Sequence, residues 1–209
     1  MNVHRVRSAG EPAFDGLLRV YTAAHPASER KSADALRKMM ERPEYLFLVV
    51  EDSDVVVGFA IAIALRGCDA ALLEYLAVDA ERRGKGIGRL LFRAIAGWPE
   101  AQQRFLLIEV DSSLAPSQDQ IDRARRKEFY RRQGCREISA LAYLMPPVSS
   151  AQPPAMDMLL YRRELPDAVD KECLRGWLAA CYEQVYGVPK EDERIEAMLN
   201  DLPATIRLV

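Results

Sequence analysis

The chain has 209 residues, 49% of them hydrophobic and 29% charged, and its 29 Lys and Arg against 31 Asp and Glu leave a formal net charge of -2. That mixture excludes disordered and fibrous classes, and the near balance of charge argues against a nucleic-acid partner. No run approaches the ~20 apolar residues that span a bilayer, and residues 1–7 carry charge where a signal peptide needs its apolar stretch, so a cytoplasmic protein with no membrane partner is expected.

Residues 2–7 read as a short strand, after which Phe14, Leu17, Leu18 and Tyr21 recur at helical spacing and residues 33–40 form a second helix ended by Pro43. Residues 45–51 and 55–65 are β-branched and aromatic runs separated by Asp52, Ser53 and Asp54, the pattern of a hairpin, and residues 72–78 form the next strand. Gly84, Gly86 and Gly88 then lead into a helical stripe of Leu90, Leu91, Ala94 and Ile95 that stops at Trp98 and Pro99.

A buried strand at 105–110 precedes a polar stretch at 111–120 and a basic helix at 121–133 closed by Gly134. Residues 136–144 and 158–162 read as two last strands joined by a Pro- and Ser-rich loop at 146–154. Beyond residue 163 the chain turns acidic, ten acidic against five basic side chains, and reads as a two-helix appendage with Leu174, Trp177, Leu178, Cys181 and Val185 on one face. The expected division is therefore 1–163 and 164–209. The apolar stripe suits packing on the chain's own sheet, or pairing in a homodimer in place of a monomer.

Cys68, Cys135, Cys173 and Cys181 show no CxxC spacing, and with only His4 and His25 available neither a metal site nor a histidine-based triad is expected. The strongest chemical signal is Arg83-Gly84-Lys85-Gly86-Ile87-Gly88, between a predicted strand and a predicted helix. Glycines let a backbone approach a pyrophosphate closely, and amides at a helix N-terminus point at its charge. Neither a P-loop nor a dinucleotide fingerprint fits, because the third glycine follows the second by two positions and no GK[ST] is present. A plain glycine-rich turn stays open on spacing alone.

The segment from Leu76-Ala77-Val78 through Arg83, Gly86 and Gly88 to Arg89 resembles the coenzyme A-binding motif of the GNAT acetyltransferase superfamily, and Phe129-Tyr130 with Gly134 is similar to a second element of that family. The resemblance covers about residues 1–163. It implies an α/β fold whose mixed sheet splays between its fourth and fifth strands, acetyl-CoA as co-substrate, and direct attack by an acceptor amine, on a small molecule or else on a protein N-terminus or lysine. A non-catalytic acyl-CoA sensor is the alternative from another class.

On that resemblance Leu76, Ala77 and Val78 hold the pantetheine arm, and Arg83, Gly84, Lys85, Gly86, Ile87, Gly88 and Arg89 hold the pyrophosphate. Tyr130 serves as the acid toward the leaving thiolate. Glu109 is the first choice for the base, with Glu74 or an ordered water as alternatives. An Asn found in many members seven residues before the Tyr is Arg123 here, which puts that pantetheine contact in question. Of the basic run Arg123, Arg125, Arg126, Lys127, Arg131 and Arg132, a solvated surface helix is the expected account, with the coenzyme's 3'-phosphate a second one.

Overall fold

A computed structural model describes residues 1–26, 30–112, 120–148 and 153–209. Strands β1 (Asn2–Val6), β2 (Tyr45–Asp52), β3 (Val55–Ala64) and β4 (Ala70–Val78) pair antiparallel in sequence order. β5 (Phe105–Asp111) lies parallel to β4, and β7 (Met156–Tyr161) and β6 (Arg136–Glu137) complete a seven-stranded sheet in the order β1-β2-β3-β4-β5-β7-β6. This is the splayed, mixed α/β sheet expected from the sequence. The hairpin between β2 and β3 turns through Ser53 and Asp54, both at positive φ.

The strands read as continuous apolar runs because both faces are covered. In β2, Tyr45, Phe47 and Val49 join one core with side chains of α1 (Pro12–Ala24), α2 (Ala33–Met40), α5 (Lys171–Cys181) and α6 (Glu193–Leu199). Leu46, Leu48 and Val50 alternate onto the other face, which is covered by α3 (Ile87–Ala96) and α4 (Gln120–Arg132). On that second face β3 presents Ala60, Ala62 and Ala64, which lets α3 approach closely. At Gly58 the approach is closer still, since a Cβ there would lie 2.9 Å from Ile87 Cγ2.

The last part of the chain departs from the expectation in two places. The strand expected at 136–144 is paired only at Arg136–Glu137, with single bridges at Ile138 and Tyr143, because Ala140 takes a positive φ of 60° that breaks the extended run. Besides the two helices, residues 164–209 contain a small antiparallel pair, β8 (Ala168–Asp170) and β9 (Thr205–Arg207), and α5 runs on into a π-helical turn over Tyr182–Tyr186. The stripe of α5 packs within the chain: Leu174, Trp177, Leu178 and Cys181 share the core of Phe14 and Leu17. Trp177 stacks on Phe105 with ring centroids 4.6 Å apart, and its indole N–H donates to Asp69 at 2.8 Å. Among the described residues no helix is long and apolar enough to cross a membrane.

Candidate active site

β4 and β5 pair only from Ala70 with Phe105 to Leu73 with Ile108. Beyond Leu73 the two strands part, although β4 continues to Val78 and β5 to Asp111. The parting coincides with a bulge: Ile61 of β3 faces Tyr75 and Ala62 faces Leu73, so Glu74 is the extra residue. A bulge bends its strand and re-aims side chains. The Glu74 side chain is only 5% exposed, while the residue as a whole is half-buried, so its exposed surface lies on the main chain. Unpaired backbone donors and acceptors thus line the β4 side of the gap at 74–78.

Below the gap, on the α3 and α4 face, sit the glycine loop and Tyr130. Gly84 and Gly86 have φ of +77° and +80°, a left-handed backbone with open space where a Cβ would point. Gly86 is the N-cap of α3 and no side chain caps that end, so the first-turn amides of Ile87, Gly88 and Arg89 face outward with the positive end of the helix dipole. Arg83, Lys85 and Arg89 are exposed and have no carboxylate partner among the described residues. Gly88 lies against Phe129 and Leu76, which joins α3, α4 and the splayed end of β4 at one point. Tyr130 is buried beside Phe92 and Phe129, and burial raises the pKa of its phenol, so the hydroxyl stays protonated.

The basic run of α4 is for the most part the solvated face expected: Arg125, Arg126, Arg131 and Arg132 are exposed, and Arg125 and Arg132 pair with Asp122 and Glu128 of the same helix. Lys127 is buried and bridges Glu137 at 2.8 Å and Asp157 at 2.7 Å, Arg126 pairs with Asp111, and Arg131 pairs with Glu137 at 3.1 Å. These bonds fasten α4 to β5, β6 and β7, which sets the position of Tyr130. Lys127 alone departs from the expectation, because its carboxylate partners come from strands distant in sequence. Arg123 is half-buried.

Above the gap, on the opposite face, are the two glutamates. Lys31 forms an ion pair with Glu74 and donates to the Val185 carbonyl at 3.2 Å, and the Tyr45 hydroxyl donates to the second Glu74 oxygen at 3.2 Å. Glu109 has no cation bonded to it among the described residues. Instead it accepts from the hydroxyls of Tyr143 and, at 2.6 Å, of Tyr186. Burial raises the Glu109 pKa above the usual carboxylate value and the charge of Glu74 adds to the rise, while the two tyrosine donors and Lys31 oppose it.

His25, at the end of α1, completes this face. Its ring lies 5.2 Å from that of Tyr75, burial with the nearby Arg126 and Arg30 pushes its pKa down to about 4, and its Nε2 is buried without a hydrogen-bond partner among the described residues. A neutral imidazole with an unused nitrogen is a contact point for a ligand, since leaving such a group unsatisfied costs roughly 1–3 kcal/mol.

Of the residues singled out in the sequence, Glu74 and Glu109 therefore meet on one face of the splay, whereas Tyr130 and the glycine loop meet on the other. Lys31, Tyr45, Tyr143, Tyr186 and His25 were not singled out as site residues. Of the polar stretch at 111–120, residues 113–119 lie outside the described residues, as do 149–152 of the loop at 146–154. Among the described residues no group of His, Cys, Asp and Glu is arranged to hold a metal ion.

The comparisons with known proteins agree with this geometry. No curated protein matches the sequence. Residues 43–137, which include both glutamates, the glycine loop and Tyr130, match the family described as acetyltransferase (GNAT) domain. Among solved structures, a GNAT-family acetyltransferase from Bacteroides thetaiotaomicron superposes with a TM-score of 0.72 at 18% identity, covering 90% of this chain and 99% of its own. An aminoglycoside 6'-N-acetyltransferase complexed with coenzyme A gives 0.58 at 19% identity over 77% and 96% of the two chains. The ribosomal-protein-S18-alanine N-acetyltransferase of Escherichia coli gives 0.56 at 18% identity over 79% and 95%. The strand order and the splay agree with the acetyltransferase (GNAT) domain that residues 43–137 match, and the chain has the fold of the GNAT acetyltransferases.

Proposed function

We propose that the chain transfers an acetyl group from acetyl-CoA to the primary amine of a small molecule by direct attack. The observation that carries this reading is the gap between β4 and β5, with a glycine loop and a protonated tyrosine on one face and two buried carboxylates on the other. A thioester threaded through such a gap meets an amine arriving from the carboxylate side.

The residues present suit the coenzyme. Open Cβ directions at Gly84 and Gly86, uncapped amides at the start of α3 and the exposed cations Arg83, Lys85 and Arg89 fit a pyrophosphate, and the backbone at 74–78, unpaired toward β5, fits the amides of pantetheine. Bound acetyl-CoA supplies the acetyl group and the thiolate leaving group.

An alkylamine of pKa ~10.4 is protonated at pH 7, and freeing its lone pair costs roughly 4–5 kcal/mol. Glu109 takes this proton, directly or through the Tyr186 hydroxyl that already donates to it. Glu109 is assigned in preference to Glu74 because Glu74 is committed to the Lys31 ammonium and Tyr45, whereas Glu109 has no cation bonded to it among the described residues and burial raises its pKa above the usual carboxylate value. As the C–S bond breaks and the attacking nitrogen releases its second proton to solvent, Tyr130 donates a hydrogen bond to the developing thiolate. Since a thiol of pKa ~8.5 is more acidic than this tyrosine, the hydrogen bond stabilises charge without full proton transfer. The turn bearing Val185 and Tyr186 lies over Lys31 and Glu109, which narrows the acceptor face and favours a small amine over a protein chain.

Titration calorimetry with acetyl-CoA, against ATP as a comparison, tests the donor, and thiol release across a panel of primary amines tests the transfer. Saturable acetyl-CoA binding, indifference to ATP and amine-dependent thiol release are expected. Failure to bind coenzyme A rejects the donor assignment, and binding without release for any amine leaves the sensor reading.

The pH profile tests the base. Activity that requires ionised Glu109 falls as pH drops through its raised pKa, so the acid limb of kcat/KM should lie above the usual ~4.3 of a glutamate. Tyr186→Phe deletes a donor that stabilises the ionised form, so it should move that limb to higher pH. A limb that stays in place in this variant removes Glu109 from the role.

A further inference from the structure

On the α3 and α4 face, at the opposite end of α3 from the glycine loop, a groove of about 450 Å³ runs between the end of α3, the turn that follows it, the start of β5 and the end of β7. Its walls carry Arg93, Arg104, Arg162 and Arg163 with Gln102 and Gln103, and no acidic residue. On a chain with a formal net charge of -2, four arginines lining one concavity, with no carboxylate among the described residues that line it, are a marked local excess. From this we infer that the groove is a binding site for a compact multivalent oxyanion, separate from the donor site.

Two of the four arginines are held in place. One terminal nitrogen of Arg104 donates to the carbonyls of Leu65 at 2.8 Å, of Cys68, and of Ala70 at 3.3 Å, which leaves its Nε–H and second NH2 free for a ligand. Arg162 lies over the Phe105 ring, its guanidinium carbon 4.6 Å from the centroid. A guanidinium fixed by stacking or by carbonyls loses less entropy when it binds, and its planar fork matches an oxyanion in bidentate fashion.

Arg93 and Arg163 are exposed and have no carboxylate partner among the described residues, so both are free to close on a ligand. A cleft lined by one sign of charge focuses its field and draws counter-ions to it. The ten residues of α3, at about 1.5 Å each, put ~15 Å between this groove and the glycine loop. One coenzyme pyrophosphate cannot occupy both.

The test is calorimetric titration of the full chain with inorganic pyrophosphate and, separately, citrate, at ~0.15 M ionic strength, where exposed charge alone is largely screened. Both are run with saturating coenzyme A, which blocks the glycine loop. One saturable site is expected, with at least a tenfold loss of affinity in the R93A/R163A double variant and unchanged coenzyme A affinity. Neither side chain has a carboxylate partner among the described residues, so the unfolding midpoint should stay within a few degrees of the parent. Tighter pyrophosphate identifies a phosphate-bearing ligand and tighter citrate a polycarboxylate. The inference is overturned if coenzyme A abolishes the binding, if the double variant binds as the parent does, or if neither anion binds below millimolar concentration. Because the readout is anion affinity, it stands apart from any result on acetyl transfer.

Discussion

Tyr130→Phe should lower kcat by about a hundredfold or more while leaving coenzyme A affinity within about twofold, because the deleted group acts on charge that develops only as the C–S bond breaks. The phenol is buried between α3 and the sheet, where a hydrogen bond to a developing anion is worth far more than in water. Its raised pKa keeps the proton on oxygen across the neutral range, so the variant should be impaired at every pH from about 6 to 9 rather than along one limb. Phenylalanine preserves the edge contacts with Phe92 and Phe129, so stability should change little. The experiment compares steady-state thiol release with coenzyme A titration in both proteins. Unchanged turnover in the variant would remove Tyr130 from the reaction and leave it a packing residue of α4.

The contrast between Tyr130 and Glu109 shows which parts of the site local sequence encodes. Tyr130 and the glycine loop sit in contiguous motifs, where a helix start or a spacing of residue types is visible within about ten positions. The environment of Glu109 is not: its two donors come from 34 and 77 residues away, and the Lys31 partner of Glu74 from 43 residues away. No periodicity records such pairings, because they form only when the strands splay and the C-terminal turn folds back over them. The bulge at Glu74 was hidden for a similar reason, since an extra residue in an unbroken apolar run leaves no mark on composition.

The fold follows the same division. Strands buried on both faces announce themselves as long apolar runs, and α1, α2 and α3 by their stripes. The break at Ala140 and the three-residue strands β8 and β9 lie below the length at which a pattern can be read. On α4 the solvated basic face was legible, but the burial of Lys127 was not: its partners Glu137 and Asp157 lie on strands distant in sequence, and with the Arg126–Asp111 pair they fasten the tyrosine helix.

Gly86→Glu should abolish donor binding, and a companion Gly86→Ala separates the two reasons. Gly86 holds a φ of +80°, so any side chain there strains the backbone by about 1–2 kcal/mol. The space beyond its Cα is open, so alanine adds strain without a clash and should weaken coenzyme A by no more than about tenfold. Glutamate adds a negative charge beside the uncapped amides of α3, where a pyrophosphate would sit. Two unit charges ~4 Å apart near a protein surface repel by about 4 kcal/mol, and even half of that, added to the strain, predicts a loss of at least a hundredfold. The loss should shrink as salt is raised, because the loop is exposed and its charges are screened, whereas the strain seen in the alanine variant should not respond to salt. Calorimetric affinities for the parent and both variants at two ionic strengths give the answer. Parent-like binding by Gly86→Glu would mean that the loop is a structural turn, and the pyrophosphate would then have to be sought elsewhere on the chain.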